Sequence, residues 1–185
     1  MTQEPPDLKS LFHDFCEYFD SKLIWKKRGK TWTRLVLDFF SNKAQRMGYR
    51  HTPNYMSMDQ VWWSQSGDIE LALQHEIQVR HVPELFEKKG LPQEVRQLID
   101  IKALRKILMV YVSEPDEKTL MSNLIVWLQT HRLKILSPKT EEYMVIVGRA
   151  LTKQKRRVIH FRCHLLYYSG HKISEPLEYD LAQAS

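Results

Sequence analysis

The chain has 185 residues, of which 43% are hydrophobic and 27% are charged, and its formal net charge is +6. This length and composition suit one sizeable core and exclude a disordered or low-complexity chain. No apolar run is long enough to cross a bilayer, no signal-peptide pattern is evident, and the two cysteines lack metal-type spacing. We therefore expect a cytoplasmic protein with no membrane partner, whose positive charge suits nucleic acid.

The first part of the chain predicts two helices. Apolar residues recur at three- and four-residue steps over 7–24 and again over about 31–47, and Gly48 ends the second pattern. Tryptophans are interleaved with a basic cluster around the connection, which consists of Lys26, Lys27, Arg28, Lys30 and Arg34. Basic side chains neutralise phosphates and tryptophan stacks on bases, so the cluster predicts nucleic-acid contact. The alternative is a solvated loop.

Three short strand-like runs follow at about 50–55, 59–64 and 69–78. The sequence Ser-Gln-Ser-Gly-Asp between the last two is typical of a hairpin turn, because it combines glycine with short polar residues. The short connections predict an antiparallel meander of three strands.

Helices and strands alternate in the rest of the chain. The patterns predict helices at about 92–103 and 113–132 and strands at 106–112, 142–151 and 156–168. The run at 106–112 is continuously apolar, which is typical of a central strand covered on both faces. The prediction is an α/β fold, with a mixed central sheet and flanking helices in a single domain that spans 1–185.

A second basic cluster lies at the tip between the last two strands. It contains Lys153, Lys155, Arg156 and Arg157, and Arg149, Arg162 and His164 are expected to extend it. Two such clusters favour a nucleic-acid partner. The alternative is that the second cluster is also only a solvated turn.

Three polar residues stand in the otherwise apolar second and third runs: Asp59, Gln74 and Glu76. Alternation places Gln74 and Glu76 on one face of their strand, and Asp59 comes near them only if the pairing is offset or the strand bends. Two carboxylates and an amide oxygen are hard ligands that suit Mg²⁺ or Mn²⁺. The alternative is that Asp59 caps a strand and Glu76 is exposed near a strand end.

The order of elements over about 7–112 resembles the core of the PD-(D/E)XK nuclease superfamily, the restriction-endonuclease-like fold. That core has a helix, a three-strand meander, a crossover helix and a fourth strand. Met-Asp at 58–59 fits the acid of its second strand, and Gln-His-Glu at 74–76 falls where its E-X-E variant lies. The segment 113–185 would extend this core with a helix and a strand pair.

The resemblance implies a metal-dependent nuclease that hydrolyses phosphodiester bonds, most naturally in DNA. Asp59 and Glu76 would bind Mg²⁺ or Mn²⁺, and Gln74 would complete the shell. The family's lysine is absent from the third strand, so the following helix and strand would supply a basic residue. Lys102 is the residue expected in this role, and Arg96 and Lys106 are alternatives.

The chain departs from the family at two positions. Gln74 stands where the family has an acid, and Gln97 falls where a helical lysine would substitute. A site with glutamine at both positions would be weak or inactive. The alternative function is a non-catalytic module on the same fold that binds nucleic acid or protein, and a third is an unrelated α/β protein. A homodimer is also compatible with the sequence.

Overall fold

The computed structural model describes residues 6–21, 29–76, 93–130, 141–153, 156–167 and 169–181, apart from the side chains of 29–31, 76, 94 and 150–158. The helices are α1 (Leu8–Ser21), α2 (Gly29–Arg46), α3 (Gln93–Asp100) and α4 (Glu114–Thr130). The strands are β1 (Arg50–Tyr55), β2 (Met58–Trp63), β3 (Ile69–Glu76), β4 (Ala103–Tyr111), β5 (Glu142–Lys153), β6 (Arg156–Tyr167) and β7 (Leu177–Leu181).

Local signals explain where the helices begin and end. The Asp7 carboxylate accepts a hydrogen bond from the Ser10 backbone N–H at 2.9 Å, which caps the start of α1. Ser113 caps α4 in the same way, with its hydroxyl oxygen 3.4 Å from the Asp116 backbone nitrogen. After α2, Gly48 adopts a φ of 77°, a left-handed conformation that glycine accepts without strain.

The seven strands form one sheet in chain order. β1, β2 and β3 pair antiparallel, β4 and β5 join as parallel neighbours, and β6 and β7 return to antiparallel pairing. The predicted meander and the predicted interior strand at β4 are confirmed, and so is the mixed sheet with flanking helices. β7 is not among the strands that the sequence predicts, because only Leu181 of this edge strand is buried.

Helices cover both faces of the sheet. On the α1/α2 face the core is rich in aromatic rings, among them Phe15, Phe40, Trp62 and Phe161. On the α3/α4 face the core is mostly aliphatic and joins residues such as Val110, Leu124 and Val145. Alternation along each strand therefore assigns its side chains to one core or the other.

Two further expectations concern the cysteines and the membrane. Cys16 and Cys163 are free and buried in the α1/α2 core, where burial raises the pKa of both thiols. Within the described ranges, no helix combines the length and apolar character that a membrane span requires.

Candidate functional site

A one-residue irregularity between β2 and β3 decides where Asp59 lies. Trp63 pairs with Ile69, but Trp62 pairs with Leu71, so Glu70 is an extra residue in β3. The shift continues to the pair of Gln60 with Leu73, and the next position aligns Asp59 with Gln74. Without the shift, Asp59 would lie opposite Leu73, a residue of the α1/α2 core. The offset that the sequence argument required is therefore present.

A hydrogen bond fixes the Asp59 carboxylate against β3. Its Oδ2 atom accepts the backbone N–H of His75 at 2.6 Å, across the two strands. The Asp59 side chain is half-buried, and desolvation raises the pKa of its carboxyl group, while the hydrogen bond from His75 opposes that rise. A partly desolvated carboxylate attracts a cation more strongly than an exposed one does.

Of the other two predicted metal ligands, the structure describes the side chain of Gln74 but not that of Glu76. Gln74 is 5% exposed, and alternation places it on the face of Ala72, which belongs to the α3/α4 core. Glu76 is the last residue of β3 and pairs with Val110, but its side chain lies outside the described residues. The structure thus brings Asp59 beside Gln74, and the role of Glu76 stays a prediction.

The donors of this region fit a hard cation in type, since a carboxylate and an amide oxygen are suitable ligands. The number of such ligands is too small within the described ranges, where no group of three His, Cys, Asp or Glu residues could hold a metal ion. A metal at Asp59 therefore depends on Glu76 and on the neutral Gln74.

Lys102 is not brought to Asp59. It is exposed and directly precedes β4, at the level where Ala103 pairs with Ile69. Because β3 and β4 are parallel, the level of Gln74 is five residues further along, roughly 16 Å away. A lysine at the start of the fourth strand cannot reach the end of the third.

The helix before β4 is better placed than Lys102. α3 packs against β2, β3 and β4 and ends near the start of β4, so its first residues point towards the Gln74 end of the sheet. Arg96 and Gln97 lie in this helix and are partly buried. The Nε atom of Arg96 is buried and makes no hydrogen bond with the described part of the chain.

Lys106, the alternative lysine, is engaged in contacts with other residues. It is fully buried in an ion pair with Glu141, and its ammonium donates to the Ile99 carbonyl at 2.5 Å. The Tyr143 hydroxyl donates to the same Glu141 carboxylate at 2.5 Å. This Lys106 cluster holds the last turn of α3 against β4 and β5, where a cation also suits the helix dipole.

The basic surface predicted around the β5–β6 tip is smaller than expected. Arg149, Arg162 and His164 do not extend it, because all three contact the buried carboxylate of Glu117 in α4. Arg162 also pairs with Glu178 at 2.7 Å. No pattern in the sequence predicts this Glu117 cluster, since an acid in the first turn of a helix ordinarily faces solvent.

The residues predicted to contact nucleic acid fall largely outside the described residues. Those without any description are Lys26, Lys27, Arg28 and Lys155, and those described only in their backbone are Lys30 in α2, Lys153 in β5, and Arg156 and Arg157 in β6. Their role stays a prediction.

No model of a known protein family matches this sequence, and no curated protein matches it either.

Proposed function

We propose that this protein is a metal-dependent nuclease, or a protein derived from one, which binds DNA in the cytoplasm. The observation that carries the proposal is the hydrogen bond from the His75 N–H to Asp59 Oδ2, which fixes Asp59 against β3 next to Gln74 in a meander. A helix and a parallel fourth strand follow that meander, as the resemblance to the PD-(D/E)XK superfamily implies. The net charge of +6 supports a polyanionic partner.

Within this proposal, Asp59 and Glu76 hold Mg²⁺ or Mn²⁺ and Gln74 adds an amide oxygen. The Asp59 carboxylate is suited to the task because Oδ2 is anchored by His75, while Oδ1 makes no hydrogen bond within the described ranges. The bound metal would polarise a phosphate oxygen and lower the pKa of a water molecule. Arg96 takes the position proposed for Lys102, because α3 lies over the strands that carry Asp59 and Gln74.

Cleavage of a labelled DNA duplex in Mn²⁺ or Mg²⁺ tests the proposal. Asp59→Asn should abolish cleavage while the fold survives, because the site would keep too little negative charge to hold a divalent ion. Asp68→Asn is the matched control, since Asp68 is an exposed acid in the β2–β3 turn at the other end of these strands. Equal loss in both variants would contradict a specific role for Asp59.

Gln74→Glu sharpens the same test. It restores an acid where the family has one, so titration calorimetry should show tighter Mn²⁺ binding than in the wild type. If neither the wild type nor Gln74→Glu binds Mn²⁺, the nuclease proposal is wrong.

The second candidate is a non-catalytic module of the same fold that binds nucleic acid. It is favoured by the neutral Gln74 and by the lack of a three-ligand group in the described part of the chain. Alanine substitutions at 26–28 or 155–157 should then weaken DNA binding without sequence preference, with affinity falling steeply as salt rises. Fluorescence anisotropy that detects no DNA or RNA binding at low salt would reject both candidates.

A further inference from the structure

The turn between β1 and β2 is built from residues that do not favour its geometry. Tyr55 pairs with Met58, so Met56 and Ser57 are its two central residues, with φ values of 49° and 64°. Two positive φ values in a two-residue hairpin define a type I′ turn, which strongly favours Asn-Gly. A long side chain such as methionine pays a steric cost in this conformation.

This strain is concentrated next to the candidate site. The non-glycine residues with positive φ in the described ranges are Asn54, Met56 and Ser57, and all lie in this one hairpin. Asn54 occupies the position opposite Asp59, between the pairs Pro53–Gln60 and Tyr55–Met58. Backbone strain of this kind persists where the fold holds it in place, and it clusters at functional sites.

The strained turn also presents an apolar side chain to solvent. Met56 is 71% exposed, compared with 55% for Val126 and 44% for Tyr167, the other large exposed hydrophobic residues that are described. Met56 is three residues from Asp59, which limits their separation to about 10 Å along the chain. Met56 belongs to neither core, so its side chain is free to contact a bound molecule.

We propose that Met56 is a wedge that inserts between base pairs of duplex DNA and thereby sets the duplex against Asp59. This inference rests on the proposed function for its choice of DNA. Methionine is unbranched and polarisable, so it adapts to the space between two bases. Apolar side chains of this kind unstack a base step in the minor groove and bend the duplex.

The turn offers a variant that separates a structural role from a binding role. Met56→Asn combined with Ser57→Gly supplies the preferred type I′ sequence, so Tm should rise by about 2–4 °C. The same variant lacks the wedge, so affinity for a duplex should fall roughly tenfold, and fluorescence of 2-aminopurine in that duplex should no longer increase on binding. Val126→Ala, which shortens an exposed apolar side chain on α4, is the control and should change neither signal.

Each outcome has one meaning. Loss of affinity and of the 2-aminopurine signal in a more stable protein supports the wedge. If the wild type binds DNA but the relaxed-turn variant binds and unstacks it equally well, the wedge is overturned and the proposed function stands. If the wild type binds no DNA at low salt, the proposed function fails and the wedge fails with it.

Discussion

Phe15, Phe19 and Phe161 meet on the α1/α2 face with ring centroids 4.4–6.1 Å apart, whereas the α3/α4 face encloses charged side chains. Among the described residues, this second face buries the ion pairs of Lys106 with Glu141 and of Glu117 with Arg149. Burial of apolar area is non-directional, so the α1/α2 face gains most of its stability from area. Buried charges tolerate few arrangements and contribute little net stability. The α3/α4 face therefore fixes the positions of α3 and α4.

The location of the candidate site gives this difference a functional meaning. Asp59 and Gln74 share the α3/α4 face, and α3 is held at its last turn by Lys106. The helix that would present Arg96 to the site is thus positioned by a buried ion pair rather than by apolar contact alone.

The largest expected effect comes from neutralising one buried charge. Glu141→Gln keeps the shape of the side chain but leaves the Lys106 ammonium facing a neutral amide, so it should lower the free energy of unfolding by about 3–5 kcal/mol. Urea denaturation measures the change. Lys106→Met combined with Glu141→Leu should restore most of the stability, because it removes both charges. A double variant as unstable as Glu141→Gln would show that the cluster acts through packing instead.

A smaller effect is expected from His75 as the pH falls. Burial lowers its pKa from 6.5 to about 4, and its Nε2 atom lies 3.3 Å from the Tyr111 hydroxyl. The unfolded chain therefore binds an additional proton between these two pH values, so stability should decline by up to about 3 kcal/mol as pH drops through that window.

His75→Gln should remove this part of the pH dependence of urea denaturation. His164 contributes with the same sign, because burial lowers its pKa although Glu117 opposes the shift. Asp59 contributes with the opposite sign, since its raised pKa favours the folded state at acidic pH. An unchanged slope between pH 4 and 6.5 in His75→Gln would contradict the assignment.

The smallest effect is expected on the aromatic face. Phe15→Leu removes one ring but keeps a large apolar side chain, so it should cost only about 1–2 kcal/mol. Glu141→Gln is an equally conservative change on the α3/α4 face. Comparing the losses in free energy of unfolding of the two variants directly tests the contrast between the faces. Equal losses of stability would mean that the two faces do not differ in this respect.

The sequence alone determined the regular elements up to β6 and their order, but it did not predict β7 or the start of β4 at Ala103. Apolar residues of α1 repeat with helical spacing, and the unbroken apolar run of β4 required cover on both sides. These are local properties, since a period of 3.6 or 2 residues is set by the backbone itself. The meander followed because strands joined by short turns pair with each other.

Tertiary structure alone decided the geometry of the candidate site. The extra residue at Glu70 turns Asp59 towards Gln74, and no period in the sequence reveals a one-residue shift in pairing. Lys102 was predicted near Asp59 but lies at the far end of β4, because its position depends on how β4 aligns with β3. Glu117 and Glu141 are buried for a similar reason: their cationic partners come from strands distant in the chain, and only the folded sheet brings these charges together.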